Sequence, residues 1–153
     1  MASASTAYLH YVAMISMATL LALELMVCTG GLSAERVRRL VRLNYIYLGA
    51  GLFALGSGLA YFVWFGKGAA FYLHNPVFYI KLALFAALGL ISMPPTLQYL
   101  RWLRGFEAAP YAVAEYQVTR MRRYIWAELV MVAVIPLMAT FMARGIGLQT
   151  VAQ

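Results

Sequence analysis

An all-α fold, an integral membrane bundle of four antiparallel spanning helices, is predicted by three observations on this sequence. The chain of 153 residues is 64% hydrophobic and only 11% charged, more apolar surface than a water-soluble domain of that size needs. Four apolar stretches, at about 7–29, 45–65, 76–93 and 124–143, approach or exceed the roughly 20 residues that cross about 30 Å of hydrocarbon. The arginines alternate between connections. Arg36, Arg38, Arg39 and Arg42 fill the first, and Arg101, Arg104, Arg120, Arg122 and Arg123 flank the third. The second holds only Lys67 and His74, and the C-terminal side only Arg144. This is the positive-inside pattern, with both termini outside and the first and third connections in the cytoplasm. Residues 1–153 thus form one transmembrane domain. The net charge of +7 is a topology signal, with anionic lipid rather than nucleic acid as its counterpart.

Each element has its own warrant. The first span is expected to be retained, because Met1-Ala-Ser-Ala-Ser-Thr lacks the basic residues of a cleaved signal peptide. It ends at Cys28-Thr-Gly-Gly, where Gly30 or Gly31 can supply a left-handed cap. Ser33 and Glu35, with the arginine run, suggest a short interfacial helix leading into the second span. That span carries Gly49, Gly51, Gly56 and Gly58, with Ala50, Ala54 and Gly58 at four-residue spacing. Small residues so placed let helix backbones approach closely or leave room for a flat ligand. The aromatic loop at 66–76 belongs to the outer interface, and Asn75-Pro76 opens the third helix. Pro94-Pro95 is expected to end or kink that helix, and Pro136 to kink the fourth. Between them, 98–123 reads as an amphipathic cytoplasmic connection. Tyr8, Tyr11, Trp64, Tyr72, Trp102, Tyr124 and Trp126 mark interfacial belts.

Polar groups inside such a bundle are costly and therefore point to function. Lys81 lies in the otherwise uncharged run 76–93, and His10 in the first span. Sorted by depth, His10, Lys81, His74 and Arg144 all fall in the outer half, so one outer cluster is geometrically possible. A neutral imidazole is a common ligand of haem iron, and Lys81 and Arg144 suit propionates. Equally, either His10 or Lys81 could extend its polar tip to the headgroups. His10, Met14, Met17, Leu21 and Glu24 share one helical face. Its methionines could serve a metal or simply pack. Glu24 and Glu128 lie about one turn inside helix ends, where Arg39, Arg42 and Arg120 to Arg123 suggest interhelical ion pairs rather than a proton path. Cys28, the single cysteine, excludes an internal disulfide. Neither a phosphate-binding glycine loop nor a Cys-x-x-Cys-His haem attachment is present.

Several segments resemble an uncharacterised family of small bacterial four-span membrane proteins. They are Leu9-His10, Gly66-Lys-Gly-Ala-Ala-Phe-Tyr-Leu-His-Asn-Pro, Lys81-Leu-Ala-Leu-Phe, Ser92-Met-Pro-Pro-Thr and the run at 136–147. More remotely, that family is similar to the HemJ type of protoporphyrinogen oxidase and to CopD-type membrane domains. In HemJ-like proteins a first-helix histidine and a third-helix lysine form the functional pair, and haem b is bound. His10 and Lys81 match those positions, while the glycine-aromatic outer loop and Pro94-Pro95 depart from the HemJ pattern. The resemblance implies a protein of the bacterial inner membrane.

The function expected is a haem-b-binding membrane protein in electron transfer or redox chemistry. His10 would be the axial ligand, Lys81 with Arg144 would hold propionates or an anionic substrate, and His74 would be an accessory candidate. If an enzyme, it would be a HemJ-like oxidoreductase acting on a porphyrinogen near Lys81, with a redox partner or a homodimer. The alternatives are a non-catalytic assembly factor or accessory subunit without cofactor, and copper handling through His10, Met14 and Met17.

Overall fold

The computed structural model describes residues 2–65, 72–108 and 111–144. The chain forms helix α1 (Ala2–Val27), α2 (Ala34–Ala60, continued by a π-helical turn Tyr61–Phe65), α3 (Pro76–Ala108) and α4 (Glu115–Ala143). One helix covers each predicted stretch, apart from Cys28 and Thr29. All four are long and apolar enough to cross a membrane. Within the described residues there is no strand. α1 packs closely on α2 and α4, and α3 packs on the same two, while the backbones of the diagonal pairs stand farther apart. The result is a four-membered ring of neighbours, the layout that short connections between consecutive helices impose.

The core stripe of α1 is Ala13, Met14, Met17, Leu21 and Glu24, and that of α2 is Val37, Leu40, Asn44, Tyr47 and Ala54. Both recur every three or four residues, so each helix turns one continuous face inward. Outward, Ile15, Met26, Leu52, Trp64, Leu90 and Val130 are exposed. Large apolar side chains on every outer face suit hydrocarbon as the surrounding solvent. Gly51 and Gly58 of the small-residue stripe face α1, where an added Cβ would meet Met17 and His10. Gly49 and Gly56 have open space.

Gly31, at φ +67°, takes the left-handed turn expected after α1. Four expectations are corrected. No separate interfacial helix precedes the second span: Ser33 accepts a hydrogen bond from Arg36 N at 3.4 Å and caps a single helix from Ala34. α3 does not end at Pro94-Pro95 but runs to Ala108. Stopping there would expose up to four further carbonyls to lipid, whereas continuing loses only the two amides that proline lacks. Most of 98–108 is therefore helix, and the connection proper is short, with Ala109 and Pro110 outside the described residues. Finally, Trp102 and Tyr72 are buried rather than interfacial. Trp102 Nε1 donates to Gln117 Oε1 at 3.2 Å, which satisfies the one polar atom that burial would orphan. Expectations for the loop at 66–71 and for 145–147 lie outside the described residues.

One arginine ties the ring shut. Arg122 of α4 donates from Nη1 to the carbonyls of Leu25 and Cys28, each at 2.8 Å. These carbonyls close α1, so a cation there meets both unpaired acceptors and the negative end of the helix dipole. Arg122→Ala is expected to cost about 1.5–3 kcal/mol, the worth of hydrogen bonds to a charged group. Thermal unfolding followed by circular dichroism in detergent would measure it. An unchanged midpoint would show that the tie is dispensable.

Candidate functional site

The π-helical turn and the start of α3 bring an aromatic wall to the end of the bundle opposite the arginines. Asn75 Oδ1 accepts from Val77 N at 2.9 Å and caps α3, with Pro76 at its first position. Phe62 and Phe78 stack with ring centroids 5.4 Å apart and planes at 15°. Tyr72 meets Phe62 edge-on at 5.3 Å. Against this wall lies a partly open cavity of about 250 Å³, lined by His10, Met14, Tyr61, Phe62, Phe78 and Lys81 among others. A second space of about 90 Å³ shares His10, Met14 and Lys81 and reaches Ala54 and Phe85.

Within that cavity His10 is held in a defined state. Its Nδ1 lies 2.9 Å from the carbonyl of Ala54 and 3.2 Å from Ser57 Oγ. A carbonyl only accepts, so Nδ1 carries the proton and donates it. Ser57 Oγ itself donates to the same carbonyl at 3.1 Å. In the neutral ring, Nε2 is then the nitrogen with a lone pair, and it has no hydrogen bond among the described residues. An imidazole held by an Nδ1–H···O=C bond is the usual state of a metal-ligating or basic histidine. Gly58 makes it possible, since a Cβ there would stand 3.2 Å from His10 Cε1.

Lys81 lines both spaces and lies within electrostatic reach of His10. His10 and Lys81 are thus brought together. His74 and Arg144 are exposed and do not line the cavity. Met14 shares the cavity, but Met17 is buried against Gly51, so the three residues of a copper site do not converge. No three His, Cys or Glu side chains gather anywhere among the described residues. For haem, the free Nε2, a nearby ammonium and a flat aromatic wall are a fitting donor set. The cavity is below the roughly 300–1,000 Å³ usual for enclosing a drug-sized ligand, so it encloses only part of a porphyrin.

Sequence reasoning missed Ser57, Phe62 and Phe78. Ser57 is the one hydroxyl among the glycines of α2, a signal that was available. The phenylalanines could not be told from ordinary membrane-facing aromatics.

Glu24 and Glu128 do not form the expected ion pairs. Each is 1% exposed, and the two, on α1 and α4, lie within electrostatic reach of each other. Arg122 is spent on the α1 carbonyls. The one ion pair among the described residues is Glu35–Arg39, on the exposed first turns of α2.

The family model described as "Predicted membrane protein (DUF2214)" matches residues 2–147. The chain belongs to that family. Neither a curated protein nor a solved structure matches it. The match covers all four helices and both His10 and Lys81, so the bundle and its cavity lie within the matched region of this DUF2214 protein.

The tautomer is directly testable. Nitrogen NMR of histidine-labelled protein in detergent is expected to show His10 with its proton on Nδ1. Gly58→Val, which puts bulk against the ring, is expected to abolish that signature. An Nε2-protonated ring in the native protein would break the assignment.

Proposed function

We propose that this DUF2214 protein is a membrane haem-b-binding protein with a redox or electron-transfer role, working at the His10–Lys81 cavity. One observation carries the reading: the Nδ1–H bond of His10 to the Ala54 carbonyl frees Nε2 in a cavity that also holds a lysine. Haem b, when bound, supplies one-electron chemistry. His10 Nε2 would hold the haem iron, and its bond to Ala54 would orient the ring and raise its basicity. Lys81 would neutralise a propionate or an anionic substrate, and Phe62 with Phe78 would offer a flat apolar wall. Lys81 is the cation of the site in this reading, because Arg144 and His74 stand outside its lining. Porphyrinogen oxidation, the enzymatic version drawn from the HemJ resemblance, would use Lys81 to hold substrate carboxylates. The membrane would be a bacterial inner membrane.

The size of the cavity favours a second reading, an accessory membrane component without cofactor. There His10 would serve only to tie α1 to α2 through Ala54 and Ser57.

Absorption spectra of the detergent-purified protein, oxidised and reduced and with haem supplied, separate the two. The haem reading expects a Soret band and reduced haem-b features that His10→Ala removes. Lys81→Gln should weaken haem affinity about 10- to 100-fold, the equivalent of roughly 1.5–3 kcal/mol for a hydrogen bond to a charged group. A native protein that stays colourless with haem added would leave the accessory reading standing.

A further inference from the structure

The second polar cluster lies far from the cavity, toward the arginine-rich end. Glu24 is one turn before the end of α1, and Glu128 lies about 7.5 Å beyond Arg123 along α4 at 1.5 Å per residue. Two adjacent buried carboxylates cannot both stay charged without compensation, because desolvation and mutual repulsion add. No basic side chain forms an ion pair with either among the described residues. The groups around them are Tyr47, Tyr99 and Cys28, with Asn44, Ser92 and Thr96; Arg122, within electrostatic reach of Cys28, is committed to backbone carbonyls.

Counting donors shows what is missing. Ser92 Oγ can donate to the carbonyl of Leu88 at 2.8 Å. Its 3.2 Å contact with Tyr47 Oη can be donated from either side. Tyr47 and Ser92 also hydrogen-bond Glu128, so their two protons are divided among that carboxylate, the Leu88 carbonyl and each other. At Glu24, Tyr99 donates to Oε2 at a long 3.4 Å. Glu24 Oε1 has no partner, and neither does Nδ2 of Asn44, which faces it and is 3% exposed. A fully ionised pair would thus be two buried charges with no ion-pair partner among the described residues and with Glu24 Oε1 lacking any hydrogen bond there. A proton on the pair removes one of the two charges. Neither cavity described above is lined by these residues.

We propose that Glu24 and Glu128 share a single proton and form a membrane-embedded proton-binding site that exchanges toward the arginine-rich end of the bundle. The site is separate from the His10 cavity and does not depend on its ligand. On the α1 face that carries both, Met14, Met17 and Leu21 lie between His10 and Glu24 and offer no proton carrier. Uptake adds one proton to the dianionic pair, and release returns it to water at the near end. The proton belongs to the pair, and Tyr99 with Asn44 stabilises the charge that remains.

The composition makes this unusually accessible to experiment. The chain has five acidic side chains, all glutamates, and the other three (Glu35, Glu107 and Glu115) are exposed. Carbon NMR of the full-length protein labelled at glutamate carboxyls in detergent would follow all five against pH. The expected result is that two of the carboxyls move together and still hold one proton at pH 7. Glu128→Gln should identify the second signal of the pair and change the midpoint of Glu24 by a unit or more. The proposal is overturned if all five carboxyls are ionised at pH 7, or if Glu24 titrates identically in E128Q. Because the native protein alone gives the first result, a variant that fails to fold does not spare the idea.

Discussion

Hydrocarbon accepts and donates no hydrogen bonds, and that constraint organises this protein. Every polar atom that enters the bundle must find its partner inside it. The backbone meets the requirement by staying helical, even through Pro94-Pro95, where a water-soluble chain would have a cheap exit. At the end of α1 the last carbonyls are met by Arg122 rather than by solvent. The same demand aligns the His10 ring on the carbonyl of Ala54 and the Ser92 and Thr96 hydroxyls on carbonyls one turn back. Among the described residues the requirement is left unmet at Glu24 Oε1, Asn44 Nδ2 and Asn75 Nδ2, and the first two lie in one cluster.

Arg122 shows how the constraint reassigns a residue that charge counting would place elsewhere. Near two buried glutamates, an arginine is the obvious counter-ion. Yet the carbonyls of Leu25 and Cys28 compete for the same guanidinium, and they have no other cation to meet. A carboxyl has an alternative that a carbonyl lacks, because it can take up a proton and become neutral. The guanidinium therefore goes to the acceptors with no second option, and the glutamates are left to settle their charge between themselves. Sequence alone supplies the charges but not this order of precedence.

The spans were legible because length and apolarity are one-dimensional properties, and lipid imposes them directly. Depth was legible too, since counting residues from Pro76 and from the N-terminal end of α1 puts His10 and Lys81 in one half of the bundle. Azimuth was not. His74 and Arg144 share that depth, but the direction in which each projects depends on packing that no residue count reveals, and they fall outside the cavity. The tautomer of His10 was equally hidden, because its partner is a backbone carbonyl with no side-chain signature. Trp102 was misplaced for a related reason: its amphipathic ring suits an interface, and only Gln117, fifteen residues on, makes its burial affordable.

The two polar sites sit on one face of α1, His10 near its start and Glu24 near its end, about 21 Å apart at 1.5 Å per residue. Ala13, Met14, Met17 and Leu21 fill the core stripe between them and are all buried. Proton transfer needs a run of groups that can both donate and accept, and thioether and alkyl side chains do neither. Along this face, then, no side chain relays a proton from one site to the other. Small residues on α2 strengthen the barrier, because Gly51 lets Met17 press into the helix interface where a larger residue would hold the backbones apart.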